Sequence, residues 1–218
     1  SIDKFKARLV IKGFNQRAGI DYNETFSPVA KMGTIRALLS IDASEEMHLS
    51  QFDVSTAFLF GELEEDIFMK LPDGFEDGTD RVCKLKRSLY GLKQAPRCWN
   101  KRFGIYLLKL GFKASEADPC FYIREKNGKK LLLVLYVDDG LVASSNINDL
   151  NEFIEELKKE FKIISKEADY FLGIQIKWES GKIKICQEAY AKKILERLNF
   201  SGCKKVNTPM LKSSDQEK

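Results

Sequence analysis

Apolar positions along the chain fall into two periods. Ile35, Leu38, Leu39, Ile41 and Ala43 recur at helical spacing and, with Thr34 as a cap, predict a helix from Thr34 to about Met47. The spacing then changes. Leu49, Phe52 and Val54 do not fit a long helix, so 48–54 reads as a strand. Pro96 opens a second helix to about Leu110, with Trp99, Phe103, Tyr106, Leu107 and Leu110 on one side and Gly111 ending it. Residues 147–161 are strongly periodic (Leu150, Phe153, Ile154, Leu157, Phe161), and 189–198 predict a final helix. Strands are predicted at 7–13, 67–71, 82–85, 120–124, 131–137, 141–144, 170–178 and 182–186. Asn127–Gly128 and Ser180–Gly181 mark hairpin turns, and 15–27 is loop-like. Helices interspersed with hairpins favour an α+β fold with an antiparallel sheet. There is no internal repeat and no linker. The expected organisation is one domain over 1–211 and a polar, disordered tail over 212–218.

Composition narrows the class. With 218 residues, 44% hydrophobic and 31% charged, the chain can bury a sizeable core, and wholesale disorder is excluded. The longest apolar run, 131–137, is far short of the roughly 20 residues of a membrane span, so no membrane partner is expected. The start carries no apolar signal segment and no Met, which implies an excerpt of something longer. A single histidine, His48, leaves no room for chemistry that needs several, and it reads as a surface or strand-edge residue. Five cysteines, with no C-x-x-C pair, read as reduced thiols in an intracellular protein.

The net charge of +4 hides a segregation. Residues 61–80 hold eight acids and one base, whereas 81–113 hold ten bases and no acid. The basic block is interleaved with Tyr90, Trp99, Phe103 and Tyr106. That is the footprint of a phosphate-backbone binder, and equally that of a solvated helix face.

Three acids could carry chemistry. Asp138 and Asp139 follow an apolar strand and precede Gly140-Leu-Val-Ala-Ser, at the tip of a hairpin. Asp53 lies at the end of another strand. Converging carboxylates repel unless a cation neutralises them, so the set suits divalent metal ions and in-line phosphoryl or nucleotidyl transfer. The plainer alternative is that Asp138-Asp139-Gly140 only turns the chain.

Tyr136-Val137-Asp138-Asp139 resembles the tyrosine-x-Asp-Asp signature of reverse transcriptases, and Gln51-Phe52-Asp53-Val54-Ser55-Thr56-Ala57-Phe58-Leu59 resembles their upstream acidic motif. Five further blocks are similar to the copia-type branch of long-terminal-repeat retrotransposons, in matching order. They are Lys6-Ala-Arg-Leu-Val-Ile-Lys-Gly-Phe14, Asp21-Tyr-Asn-Glu-Thr-Phe-Ser-Pro-Val29, Ser88-Leu-Tyr-Gly-Leu-Lys-Gln-Ala-Pro-Arg97, Ala117-Asp-Pro-Cys-Phe-Tyr122 and Tyr170-Phe-Leu-Gly-Ile174. The likeness covers about residues 4–210.

The resemblance implies a fingers/palm, right-hand polymerase-like fold and an RNA-directed (and DNA-directed) DNA polymerase. It implies that Asp53, Asp138 and Asp139, with the Val54 carbonyl, hold two Mg²⁺ ions, or Mn²⁺. Arg8 (with Lys6 or Lys12 near it), Phe58, Tyr90, Gly91, Lys93, Gln94 and Tyr136 would meet the incoming nucleotide. Phe58 would exclude a ribose 2′-hydroxyl, and its alternative is a core Phe beside Leu59 and Phe60. Phe171, Leu172, Gly173 and Arg97 would meet primer and template. Lys162 is a candidate general acid, or a solvated lysine after its helix.

The implied partners are an RNA and DNA template–primer, dNTPs and the rest of a Pol polyprotein, with integrase and more fingers sequence upstream and ribonuclease H downstream. The implied location is a cytoplasmic virus-like particle. Ser55 and Phe60 depart from the common Lys and Asn of the family without touching the acids. A non-catalytic nucleic-acid-binding palm is the competing reading. A nucleotide cyclase would fit the acids but not the 89–97 block.

Overall fold

The computed structural model describes residue 5, residues 7–179 and residues 181–204. In chain order the elements are α1 (Met32–Glu45), β1 (His48–Val54), a 3₁₀ turn (Ala57–Phe60), β2 (Phe68–Lys70), β3 (Val82–Lys84), α2 (Ala95–Lys109), β4 (Lys113–Ala114), β5 (Phe121–Lys126), β6 (Lys129–Tyr136) and β7 (Asp139–Ser144). They continue with α3 (Ile147–Glu160), β8 (Ile163–Glu167), β9 (Tyr170–Phe171), β10 (Ile174–Glu179), β11 (Lys182–Cys186) and α4 (Glu188–Arg197). The result is a mixed α and β fold built on antiparallel sheets.

Six strands form the main sheet in the order β4-β5-β6-β7-β1-β8. Side chains alternate across it. Leu131, Leu133 and Leu135 of β6 join Trp99, Phe103 and Leu107 of α2 and Phe153 and Leu157 of α3 on one face. Leu132 and Val134 join Ile35, Leu38 and Leu39 of α1 and Phe171, Ile174 and Ile176 on the other. A strand covered on both faces needs a continuous apolar run, which explains Leu131-Leu-Leu-Val-Leu135. The small sheet β11-β10-β9 shares the second face with α1.

Local signals account for most boundaries. Asn127 and Gly128 both have positive φ, 53° and 71°, the pattern of a type I′ turn joining β5 to β6. The Asn146 side chain accepts the Asn148 and Asp149 N–H groups and caps α3. Pro96 sits in the first turn of α2.

Four expectations need correction. Residues 7–13 form no strand, because among the described residues no second strand lies beside them. Their one ladder-like bond runs from the Ile11 N–H to the Tyr90 carbonyl (2.9 Å). Helix α1 starts at Met32, not Thr34. Its N-terminal groups are bonded from far along the chain, where the Asp118 carboxylate accepts the Lys31 N–H (2.9 Å) and the Thr34 hydroxyl (2.5 Å). Burial works to raise the Asp118 carboxyl, but bonds from Thr34, Lys31 and Cys120 prevail and its pKa is lowered. The predicted strand 170–178 is split by a turn at Leu172 and Gly173, whose φ values of 47° and 84° again fit type I′. Strands β4 and β8 carry too little apolar pattern to have been read.

The fourth correction concerns charge. Acids and bases of the two blocks pair with each other: Lys84 with Asp66 (2.7 Å), Lys101 with Glu64 and Arg81 with Asp77. Arg102 of the basic block pairs with Glu160. Part of the block is therefore neutralised within the protein. All five cysteines are free and His48 is exposed. No described helix is long and apolar enough to cross a membrane. The predicted tail, 212–218, lies outside the described residues, as does Lys6.

Candidate active site

Asp53 and Asp139 face each other directly, as partners in the β1–β7 ladder. Directly opposed residues project from the same face. Phe52 and Val54 point toward α2 and α3, so Asp53 and Asp139 lie on the side of α1 and the small sheet. Asp138 belongs to the turn between β6 and β7, where Tyr136 pairs with Asp139. Its carbonyl accepts the Val54 N–H (2.8 Å), so the turn is sewn to the end of β1.

Electrostatics confirm that the acids feel one another. Partial burial, then the charges of Asp138 and Asp53, push the Asp139 carboxyl up to about 6. Among the described residues, no three acidic, His or Cys side chains already stand at metal-ligand spacing. The donor set nonetheless fits a hard divalent cation, because three carboxylates share one sheet end, where burial first and then the other two charges suppress the ionisation of Asp139.

The turn is Val137-Asp138, not Asp139-Gly140. Val137 has φ of 59°, a left-handed conformation that is a genuine outlier for a β-branched residue. Gly140 is required for another reason. A Cβ there would come within 2.0–2.5 Å of the Phe52 ring that crosses it.

A second wall stands before the acids. The Phe58 and Tyr90 rings are 4.9 Å apart, and the Arg8 guanidinium lies 5.1 Å from the Tyr90 ring centroid. Burial raises the Tyr90 hydroxyl, Arg8 opposes this, and the charges of Asp138 and Asp53 add to it. Tyr90 is therefore in electrostatic reach of both sides. Gly91 makes the close crossing possible: its φ is 95°, and a Cβ would meet the Ile11 carbonyl at 2.1 Å.

The other expected residues divide. Lys93 is exposed, with its ammonium 4.9 Å from the Tyr22 ring. Gln94 is buried and engaged, accepting from Gln16 (2.9 Å) and donating to the Asp21 carbonyl (2.8 Å). It ties the 16–22 segment down, with both ends of its amide engaged within the protein. Tyr136 packs against the core of the α1 face. Arg97 is exposed on the first turn of α2 and donates to the Phe26 carbonyl (3.4 Å). Phe171 is buried, Leu172 packs partly against the same core, and Tyr170 beside them is exposed. The Tyr170 N–H donates to the Gln51 amide oxygen (3.4 Å), placing this hairpin two residues along β1 from Asp53. Lys162 is exposed, and its carbonyl accepts the Ser55 N–H (2.8 Å).

One contact had no signal in the sequence pattern. The indole N–H of Trp99, which the helical period marks only as core, donates to the Val137 carbonyl (2.7 Å).

The comparison with known proteins gives the family. The chain belongs to the reverse transcriptase (RNA-dependent DNA polymerase) family, whose profile matches residues 2–212. It is 42% identical over 213 residues to the retrovirus-related Pol polyprotein from transposon TNT 1-94 of Nicotiana tabacum, covering 95% of this chain and 16% of that protein. It is 39% identical over 216 residues to the Pol polyprotein from transposon RE1 of Arabidopsis thaliana, covering 98% and 15%. Against the Transposon Ty1-BL Gag-Pol polyprotein of Saccharomyces cerevisiae the identity is 29% over 219 residues, covering 94% and 12%. These relatives bear out the copia-type resemblance. The chain spans only 15–16% of the length of the first two. No solved structure gives a significant match.

Proposed function

We propose that this chain is the fingers-and-palm part of a retrotransposon RNA-directed DNA polymerase, extending a primer with dNTPs on an RNA or DNA template. The observation that carries the reading is the ladder pairing of Asp53 with Asp139, beside Asp138 and in electrostatic reach of Tyr90, on whose ring Arg8 sits. The six-stranded sheet would be the palm, and the segment bearing Arg8 would belong to the fingers.

Asp53, Asp138 and Asp139, with the Val54 carbonyl, would hold two divalent cations, Mg²⁺ or Mn²⁺. When bound, these supply a lowered pKa for the primer 3′-hydroxyl and neutralisation of triphosphate charge. The protein's own part is positioning and electrostatics. Arg8, over the Tyr90 ring, would meet the triphosphate. Phe58, braced by Tyr90, would lie under the incoming sugar, where a ring would exclude a 2′-hydroxyl. Gly91 keeps the backbone low beside it. Lys93 would meet the incoming nucleotide, and Arg97 and the Leu172-Gly173 turn would contact template and primer. Their phosphate contacts would give strong salt dependence and little sequence preference. Lys162 is the candidate to protonate leaving pyrophosphate. Ribonuclease H, integrase and a cytoplasmic particle complete the proposed setting.

The acids are not yet at ligand spacing, which favours a second reading: a scaffold palm that binds nucleic acid without catalysis. Incorporation of dTTP on poly(rA)–oligo(dT) with Mg²⁺ or Mn²⁺ separates the two. The polymerase incorporates and its Asp138→Asn variant does not. Equal incorporation by both proteins sinks the metal role, and binding of the template–primer without incorporation by either supports the scaffold.

A further inference from the structure

The turn that carries the acids is held from two sides. Val137, at φ 59°, is in a conformation that a β-branched side chain keeps only where its surroundings over-determine it. Its carbonyl accepts the Trp99 indole N–H at 2.7 Å. The next carbonyl, that of Asp138, accepts the Val54 N–H at 2.8 Å. Two consecutive carbonyls are thus fixed by different elements, one by α2 and one by β1.

The indole cannot turn away. Trp99 is 1% exposed, and its ring is packed by Phe60, Phe103 and Phe161 at centroid distances of 6.1, 5.2 and 5.3 Å, with Phe161 edge-on at 85°. A Trp N–H can only donate, and a buried donor left without an acceptor is costly. Bond and turn therefore enforce each other.

We propose that Trp99 is a positioning residue for the acid pair. Its indole N–H holds Val137 in the left-handed turn that sets Asp138 and Asp139 beside Asp53. Because α2 follows directly on the 90–94 segment, the same bond ties the nucleotide-facing wall to the acids. The catalytic consequence rests on the polymerase reading above; the pin itself does not.

The test uses the full chain and Mn²⁺, followed by electron paramagnetic resonance of the free ion. Trp99→Phe keeps a ring and removes the N–H. It weakens Mn²⁺ binding roughly tenfold, the usual scale for losing a residue that orients a metal ligand. Val137→Gly in the same chain recovers most of that loss, because glycine takes positive φ without steric cost and no longer needs the pin. In urea unfolding the two substitutions are non-additive. A purely structural tryptophan predicts the reverse: the same Mn²⁺ loss with Val137 or Gly at 137, and additive stabilities. Either result overturns the proposal, as does wild-type Mn²⁺ affinity in Trp99→Phe. An Asp138→Asn control that binds Mn²⁺ like the wild type sinks the polymerase reading instead, and the pin is then judged on the unfolding cycle alone. Where Trp99→Phe fails to fold, a benzothienyl side chain at 99, with sulfur for N–H and the same ring size, replaces it in both measurements.

Discussion

The six-stranded sheet and the segment of residues 7–31 have comparable apolar content in their strand-like stretches, yet only one of them forms strands. In the sheet, β6 finds β5 and β7 as partners and apolar cover on both faces. The earlier segment finds one backbone bond to Tyr90 and leaves Leu9, Val10, Phe14 and Ile20 exposed. A strand propensity is a capacity to pair, and it is realised only where a partner and a covered face exist. The site draws on both regions: rigid acids from the sheet, and an adaptable cation, Arg8, from the segment draped over it.

The largest effect that separates the two regions is on chemistry. Asp53→Asn removes a sheet carboxylate and lowers dNTP incorporation by about 10³-fold or more, whereas Arg8→Ala raises the dNTP KM several-fold and leaves the urea midpoint unchanged. Steady-state kinetics beside an unfolding curve checks both. Next come the two crowded glycines. Gly140→Ala drives a methyl into the Phe52 ring within the sheet and costs about 1–3 kcal/mol or more of stability. Gly91→Ala collides with the Ile11 carbonyl and displaces the segment bearing Arg8. It acts mainly on nucleotide KM, and equal unfolding losses for the two variants would erase the distinction between the regions.

A smaller effect is on pH. Burial pushes Asp42, fully enclosed in α1 with neither carboxyl oxygen hydrogen-bonded among the described residues, up to about 7. Asp139 is pushed up to about 6. Both carboxyls hold their protons longer folded than unfolded, so their stabilisation is complete below 3.8 and is lost as pH rises to about 7. The metal-free protein should melt lower at pH 7.5 than at pH 5, and Asp42→Asn should flatten that slope. A flat profile in the wild type would refute the burial argument. The smallest effect is at the surface: Lys101→Ala breaks an exposed pair with Glu64 and leaves the urea midpoint close to that of the wild type.

Much of this was legible in the sequence, and what was not has a physical reason. Helices α2 and α3 show their period plainly, and Asn127-Gly128 announces its turn. Strand ends and paired carboxylates made the three acids candidates beside a plain-turn alternative, and the copia-type resemblance singled them out. That Asp53 would face Asp139 could not be read, since ladder register depends on tertiary pairing. Nor could the start of α1, because its capping carboxylate, Asp118, comes from 84 residues beyond Thr34. Gln94 looked like a polar contact for nucleotide, yet its amide is consumed by Gln16 and Asp21. Trp99 looked like core. A helical period reports where a ring goes and is silent on where its one N–H points.

The insertion of β1 between β7 and β8 has a consequence for how the molecule comes to exist at all. The hairpin β6–β7 is local and can form early, but it carries only two of the three acids. The third arrives on a strand whose partners begin 86 residues later in the ladder, Asp53 opposite Asp139 at one edge and Ile164 at the other. Closing such a loop is slow and is rewarded only at the end. A nascent or partly folded chain would therefore display the hairpin without the third acid, and the full acid set would assemble in a single late step, together with the completed sheet.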